Sequence, residues 1–196
     1  DHRDLHSFPT RRSSDLLYAV FSASSKGSNR DPVAKLATGA LVKLDLSDRG
    51  AAGATAPFVD IDGNSLTLQD FQGQSVLINF WATWCGPCER EMPSLAALET
   101  SRGDDAFKVI AISVDSPEDT DYAKQRLREL SGGVLDFYTL AEGPDGWNVV
   151  YDMGAGGGFP TTILYDKDGI KIGKIEGEAD WASYEAVALV DVIKGD

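Results

Sequence analysis

The hydrophobic pattern of the chain is dominated by a continuous apolar run at residues 76–81 and by a second, mostly apolar stretch at residues 107–114, which predicts another buried strand. An apolar run without polar alternation is typical of a strand that is buried on both faces of a sheet. Three shorter apolar stretches predict further strands, at residues 135–140, 161–165 and 170–175. A turn sequence centred on Gly63 lies between residues 58–61 and 65–68, which predicts a short hairpin before the first central strand.

Helical patterns follow the two central strands. Residues 88–101 place apolar side chains at helical spacing, and Ser116 and Pro117 supply an N-cap and a first-turn proline for a helix through Leu130. Two more helices are predicted at residues 147–153 and 181–193. Strands that alternate with helices, ending in a hairpin and a helix, indicate an α/β protein with a mixed sheet.

The segment before these elements divides into parts of different composition. From Asp31 and Pro32, apolar residues recur at helical spacing as far as Leu44, which predicts an extra N-terminal helix. Residues 48–56 are small and predict a flexible linker into the main domain.

The first thirty residues differ in composition from the rest. Residues 1–16 have no apolar periodicity and resemble translated sequencing-adapter sequence, with an ordinary disordered tail as the alternative. The stretch that follows them is short and apolar, then rich in serine, as expected for the end of an anchor and its linker. The predicted organisation is a tail at 1–30, a helix and linker at 31–55 and the main domain at 56–196.

The charge balance is strongly acidic. Aspartate and glutamate total 31 against 18 lysines and arginines, so the formal net charge is −13. Such a chain is a poor partner for nucleic acid, because nothing offsets the repulsion of the phosphates. A calcium site could be imagined in one acidic cluster, but helix capping explains its residues more simply. These residues are Asp115, Glu118, Asp119 and Asp121.

Two cysteines, Cys85 and Cys88, are the only ones in the chain, and they lie between a predicted strand and a predicted helix. The start of a helix presents unpaired N–H groups and a positive dipole, which favour a thiolate. The pattern predicts that Cys85 is the exposed nucleophile and that Cys88 resolves the mixed disulfide. The alternative is an inert buried pair, which the surrounding Trp, Gly and Pro disfavour.

A structural zinc site needs two further ligands, and the only histidines, His2 and His6, lie in the tail. We therefore expect no metal and no cofactor other than a redox-active Cys85–Cys88 disulfide.

The sequence Trp84-Cys85-Gly86-Pro87-Cys88 resembles the active site of thioredoxins. Phe159-Pro160-Thr161 resembles the cis-proline turn that faces the dithiol in that family. The resemblance implies a thioredoxin fold, a mixed central sheet flanked by helices, here with an N-terminal β-hairpin and an extra N-terminal helix. It also implies that Pro160 belongs to the catalytic centre. The residues it assigns to substrate binding are Trp84, Gly86, Pro87, Phe159 and Thr161.

Residues 80–93 are similar to the TlpA, ResA and CcmG proteins, and residues 177–181 resemble TlpA in particular. Asn79 stands where cytoplasmic thioredoxins carry a buried aspartate. Glu91 matches an acid that this group places near the dithiol, which implies a proton relay to Cys88, with an exposed surface glutamate as the alternative. Pro93 matches a kink in the active-site helix.

The resemblance implies a periplasmic reductase of protein disulfides, acting in cytochrome c maturation or in copper-site assembly of cytochrome oxidase. It also implies a membrane-bound thiol donor and a tether to the inner membrane, and a monomer is the default expectation. Two alternatives are a thiol peroxidase and a copper-assembly factor, although copper factors pair C-x-x-x-C with a downstream histidine. The other tryptophans, Trp81, Trp147 and Trp181, are interpreted as packing residues.

Overall fold

A computed structural model describes residues 31–195 of the chain. The chain divides between Lys35 and Leu36 into two units, and all elements after the first helix lie in the second unit. The predicted tail at 1–30 lies outside the described residues. None of the described helices is long and apolar enough to cross a membrane.

A seven-stranded mixed sheet forms the centre of the second unit. Its strands are β1 (Phe58–Asp60), β2 (Ser65–Leu66), β3 (Ser75–Trp81), β4 (Phe107–Ser113), β5 (Phe137–Leu140), β6 (Thr161–Tyr165) and β7 (Lys171–Glu176). They lie in the order β2-β1-β5-β4-β3-β6-β7. Strands β3, β4 and β5 are parallel, while the two outer strands on each side are antiparallel to their neighbours.

The helices are α1 (Pro32–Lys35), α2 (Gly86–Arg102), α3 (Thr120–Ser131), α4 (Asn148–Asp152) and α5 (Tyr184–Lys194). Helix α2 follows β3 directly and packs against α3, α5 and β4. All seven residues of β3 are buried, as the continuous apolar run predicted. The predicted α/β class and thioredoxin fold are confirmed.

The extra N-terminal helix is much shorter than predicted. Helix α1 ends at Lys35, and the only later helical turn before β1 is a 3-10 turn at Gly39–Leu41. Thr38 has extended backbone angles, and Gly39 has φ of +52°, which lies in the left-handed region. The apolar spacing up to Leu44 was therefore misleading, because these two backbone conformations interrupt the helix.

The segment predicted as a flexible linker is instead paired with the sheet. Just before this segment, Asp45 and Lys174 exchange main-chain hydrogen bonds of 2.8 and 3.0 Å. Farther along, the N–H of Gly50 donates to the Lys171 carbonyl, and Lys171 N–H donates to Ala51. The small side chains of this segment allow its main chain to approach the outer edge of β7. The segment that was predicted to be a flexible linker therefore covers an edge strand of the sheet.

Candidate active site

The two cysteines lie at the N-terminus of α2. Cys85 is the N-cap, and its Sγ accepts a hydrogen bond of 3.3 Å from the N–H of Cys88. The two residues form a disulfide, with Cα atoms 5.3 Å apart. Cys85 is 6% exposed and Cys88 is fully buried, so Cys85 is the more accessible of the two cysteines, although it is less exposed than predicted.

The residues between the cysteines suit this position. Gly86 is the first residue of α2 and is exposed, and Pro87 follows it at a place where the helix needs no N–H donor. Pro93 lies inside the same helix. The dithiol is thus held by a regular helix start, where N–H groups point towards a developing thiolate.

The predicted cis-proline turn is present just before β6. The peptide bond between Phe159 and Pro160 is cis. The Pro160 carbonyl accepts a hydrogen bond of 2.8 Å from the N–H of Gly177, and Thr161 Oγ1 donates to the Gly158 carbonyl. Among the described residues, neither the main-chain N–H nor the C=O of Phe159 has a hydrogen-bond partner. Both groups are free to pair with an extended peptide.

An aromatic ledge, defined by Trp84, Phe159, Trp147 and Tyr151, lies beside the turn. The rings of Trp84 and Phe159 meet edge to face at 6.0 Å, and Trp147 lies 6.2 Å from Phe159. Tyr151 stacks obliquely on Trp147 at 6.1 Å. Trp84 is 66% exposed and Trp147 is 39% exposed. Trp147 is therefore a partly exposed residue beside the turn, and it packs on Phe159 and Tyr151, in agreement with its interpretation as a packing residue.

A groove of about 700 Å³ opens next to Trp84 and Trp147. Its walls come from the β1–β2 hairpin, the end of β4 and the chain after β5, and they include apolar Ile61 and acidic Glu142. No lysine or arginine is among its lining residues. The groove offers space for side chains that flank a cysteine in a bound partner.

Glu91 is buried rather than exposed, 3% accessible to solvent. Its Oε1 accepts a hydrogen bond of 2.6 Å from Asn79 Nδ2. Its Oε2 accepts from the N–H of Ala179 at 3.1 Å and from the indole of Trp181 at 3.2 Å. Burial raises the pKa of Glu91 to about 7, although these three donors act in the opposite direction.

Trp181 packs in the core, as predicted, and its indole also donates to Glu91. It is buried, and its only side-chain N–H is used on Glu91. No sequence signal linked the two residues, because they are 90 positions apart. Asn79 also donates to Thr162 Oγ1 at 2.9 Å, so the side chain of Asn79 links β3 to both β6 and α2.

Asp115 is a site residue that the sequence analysis assigned to helix capping. Its buried carboxylate accepts hydrogen bonds from the N–H and hydroxyl of Thr83 and from Ser113 Oγ. Thr83 lies two residues before Cys85, so Asp115 fixes the loop that carries the dithiol to the end of β4. Within residues 31–195, no group of three or more His, Cys, Asp or Glu side chains is placed to hold a metal ion.

Comparisons with known proteins agree with this geometry. The profile of the AhpC/TSA family matches residues 49–172. The chain is 34% identical over 122 residues to the thiol-disulfide oxidoreductase ResA of Geobacillus kaustophilus and 37% identical over 128 residues to that of Geobacillus thermodenitrificans. These matches cover 61% and 64% of this chain and about two thirds of the relatives, 66% and 68% of their lengths.

A solved structure with the same fold is the thioredoxin domain of a thiol-disulfide oxidoreductase from Bacteroides vulgatus. It superposes with a TM-score of 0.61 at 25% sequence identity, covering 74% of this chain and 96% of that one.

Proposed function

Because the chain belongs to the AhpC/TSA family and is related to thiol-disulfide oxidoreductases, we propose that it reduces disulfide bonds in partner proteins. The observation that supports this most is the position of the dithiol. Cys85 is the more accessible of the two cysteines and lies at a helix N-terminus that favours its thiolate, beside a proline turn with free main-chain groups. No cofactor other than the dithiol is proposed.

The reaction starts from the reduced protein. The Cys85 thiolate attacks one sulfur of the partner disulfide, forming a mixed disulfide and releasing the other partner sulfur as a thiolate. The Cys88 thiolate then attacks Cys85 Sγ, which forms the Cys85–Cys88 disulfide and releases the second partner thiolate. Two electrons pass from the dithiol to the partner, and a thiol donor must return them before the next cycle.

Glu91 is proposed to accept the proton that Cys88 loses before its attack. Cys88 is fully buried, so water does not reach its sulfur directly. Glu91 follows it by three positions in α2 and therefore lies on the same side of the helix. A carboxylate with a pKa of about 7 can hold and release a proton in the same pH range as a thiol of a redox centre.

Partner binding is proposed to use the main chain of Phe159 together with the aromatic ledge. An extended partner segment can pair with the free N–H and C=O of Phe159, while its side chains contact Trp84 and Trp147. The cis-proline turn thereby places the partner disulfide against Cys85. Gly86 and Pro87 lie on the same surface, whereas Thr161 is fully buried and supports the turn through its hydrogen bond to the Gly158 carbonyl.

The dipeptide between the cysteines supports a reducing role. Gly-Pro is the dipeptide of thioredoxin, whose potential is about −270 mV, against about −120 mV for the oxidant DsbA. We therefore propose a reductant. Equilibration with glutathione buffers measures the potential, and a value near that of DsbA would contradict this direction.

The finer assignment rests on the TlpA, ResA and CcmG resemblance. We propose a monomer tethered to the inner membrane and facing the periplasm, which receives electrons from a membrane-bound thiol protein. Its substrates would be apocytochrome c cysteines or the copper proteins that supply cytochrome oxidase. Capture of the substrate on a Cys88→Ser variant in cells, followed by mass spectrometry, decides between these two groups of partners.

A thiol peroxidase is the second candidate, because the matching family profile carries the AhpC/TSA name. Such an enzyme oxidises one cysteine with peroxide, whereas Cys85 is already placed to bond Cys88. Peroxide consumption by the reduced protein, at a rate that depends on Cys85, would favour the peroxidase over disulfide exchange.

A further inference from the structure

The segment 177–181, which joins β7 to α5, contacts both halves of the site. At one end, the N–H of Gly177 donates to the Pro160 carbonyl at 2.8 Å. At the other end, Ala179 N–H and Trp181 Nε1–H both donate to Oε2 of Glu91. Five residues thus connect the proline turn with the buried carboxylate.

Trp181 is held firmly against α2. Its main-chain N–H donates to Ser94 Oγ at 3.1 Å, and Ser94 Oγ in turn donates to the Glu91 carbonyl at 2.8 Å. The side chain is 1% exposed, so the indole has no room to turn away from the carboxylate. The same helical turn therefore anchors the main chain of Trp181 and receives its indole N–H.

We propose that Trp181 is a positioning residue of the proposed redox reaction: with Ala179, it holds the Glu91 carboxylate in place and stabilises its charged form. The indole N–H replaces a water molecule that a buried carboxylate cannot recruit. Without it, Oε2 keeps one donor from the segment, and the ionised form of Glu91 becomes less favourable.

The charges near Glu91 are few and can be named. Glu178, on the same segment, raises the pKa of Glu91 through its negative charge. Arg90, beside Glu91 in α2, pairs with Glu178 at 2.7 Å. Asp180 is the other acid of the segment, and β3 and β6 contribute only the neutral side chains Asn79 and Thr162. Burial is the main cause of the raised pKa, and the donors oppose it.

The chain supplies a matched control in Trp81. Both indoles are buried, but Trp81 Nε1 has no hydrogen-bond partner among the described residues. Trp181→Phe and Trp81→Phe remove the same atoms from two buried positions. Only the first removes a hydrogen bond to Glu91.

The test is a titration of the Glu91 side-chain carboxyl by ¹³C NMR in the intact chain, in both redox states. Loss of a hydrogen bond to a charged group should raise the Glu91 pKa by about one unit in Trp181→Phe. The value should be unchanged in Trp81→Phe. An unchanged Glu91 pKa in Trp181→Phe, or an equal rise in both variants, would overturn the proposal.

A second measurement separates this inference from the proposed function on which it rests. The rate of disulfide exchange is followed against pH in Trp181→Phe, Glu91→Gln and the double variant. Trp181→Phe should shift the profile only when Glu91 is present. A shift of the same size in the Glu91→Gln background would contradict the positioning role. Absence of exchange in the wild type would instead contradict the proposed function and leave the NMR result interpretable.

If Trp181→Phe does not fold, the pKa of Glu91 is measured in Ser94→Ala instead. This substitution removes the anchor of the Trp181 main chain while keeping the indole. The Glu91 pKa should then rise by less than one unit, and no rise would overturn the proposal.

Discussion

Asn79 Nδ2 donates a hydrogen bond of 2.6 Å to Oε1 of Glu91, joining the central strand β3 to the helix that carries the dithiol. Both residues are buried. Because Asn79 is neutral, Glu91 is the only side chain of this pair that can carry a negative charge. An aspartate at position 79 would instead place two carboxylates in contact. The pair therefore allows Glu91 to be the titrating group of this core.

Replacement of Glu91 by glutamine should change how stability depends on pH. The pKa of Glu91 is about 7 in the folded protein and 4.5 for an unperturbed glutamate. Between these values the folded protein retains a proton that the unfolded chain releases, so the free energy of unfolding falls as pH rises. The fall from this group is at most about 3 kcal/mol.

Denaturant unfolding of the oxidised protein at several pH values from about 4 to 8, which brackets this interval, measures this contribution. In Glu91→Gln, the decrease of the free energy of unfolding with rising pH should be smaller by this contribution. Glu142→Gln, a substitution at an exposed position of the groove, should keep the full decrease. If the free energy of unfolding of Glu91→Gln depends on pH as steeply as that of the wild type, burial does not raise the pKa of Glu91, and the prediction is contradicted.

Substitution of Trp147 by alanine should weaken the binding of protein partners. Trp147 is exposed and contacts Phe159 within the aromatic ledge. Because an aromatic pair contributes roughly 0.5–1.5 kcal/mol, kcat/KM for a disulfide-bonded protein should fall about two- to tenfold. Reduction of a small disulfide such as oxidised glutathione should be unaffected.

Tyr184→Ala is the matched control for Trp147→Ala, since Tyr184 is an exposed aromatic residue on α5. Equal losses in the two variants would show that the ledge has no special role in partner binding.

Removal of the Asp115 carboxylate should loosen the loop that precedes the dithiol. In Asp115→Ala, the N–H and hydroxyl of Thr83 and the hydroxyl of Ser113 lose their acceptor. An unsatisfied buried donor costs about 1–3 kcal/mol, so we expect a loss of stability of at least this size in denaturant unfolding. Asp119→Ala, at an exposed position four residues later, should cost much less, and a comparable cost would remove the special role of Asp115.

The central strands, the first hairpin and the position of the dithiol could be predicted from sequence because local patterns specify them. The apolar run of β3 has one interpretation, a strand buried on both faces, and a helix N-cap follows from Cys85 and Pro87. The turn sequence at Gly63 likewise predicts a tight turn between two short strands, and Gly63 has the positive φ that such a turn requires.

The contacts of Trp147 and Trp181 could not be predicted, because tertiary packing decides them. A tryptophan in a helical pattern looks the same whether it packs in the core, lines a surface or donates to a distant carboxylate. The continuous helix to Leu44 was predicted wrongly for a related reason. Periodicity does not report the left-handed conformation of Gly39, which breaks the pattern.

The most direct test of the proposed reaction is the capture of a mixed disulfide. Reduced Cys88→Ser protein is incubated with a disulfide-bonded substrate protein, and the products are separated without reductant and analysed by mass spectrometry. We expect a stable adduct through Cys85, because Cys85 is the more accessible cysteine and its resolving thiol is gone. Cys85→Ser should give no adduct. Failure of Cys88→Ser to form an adduct, or an equal adduct through Cys88 in Cys85→Ser, would contradict the proposed reaction.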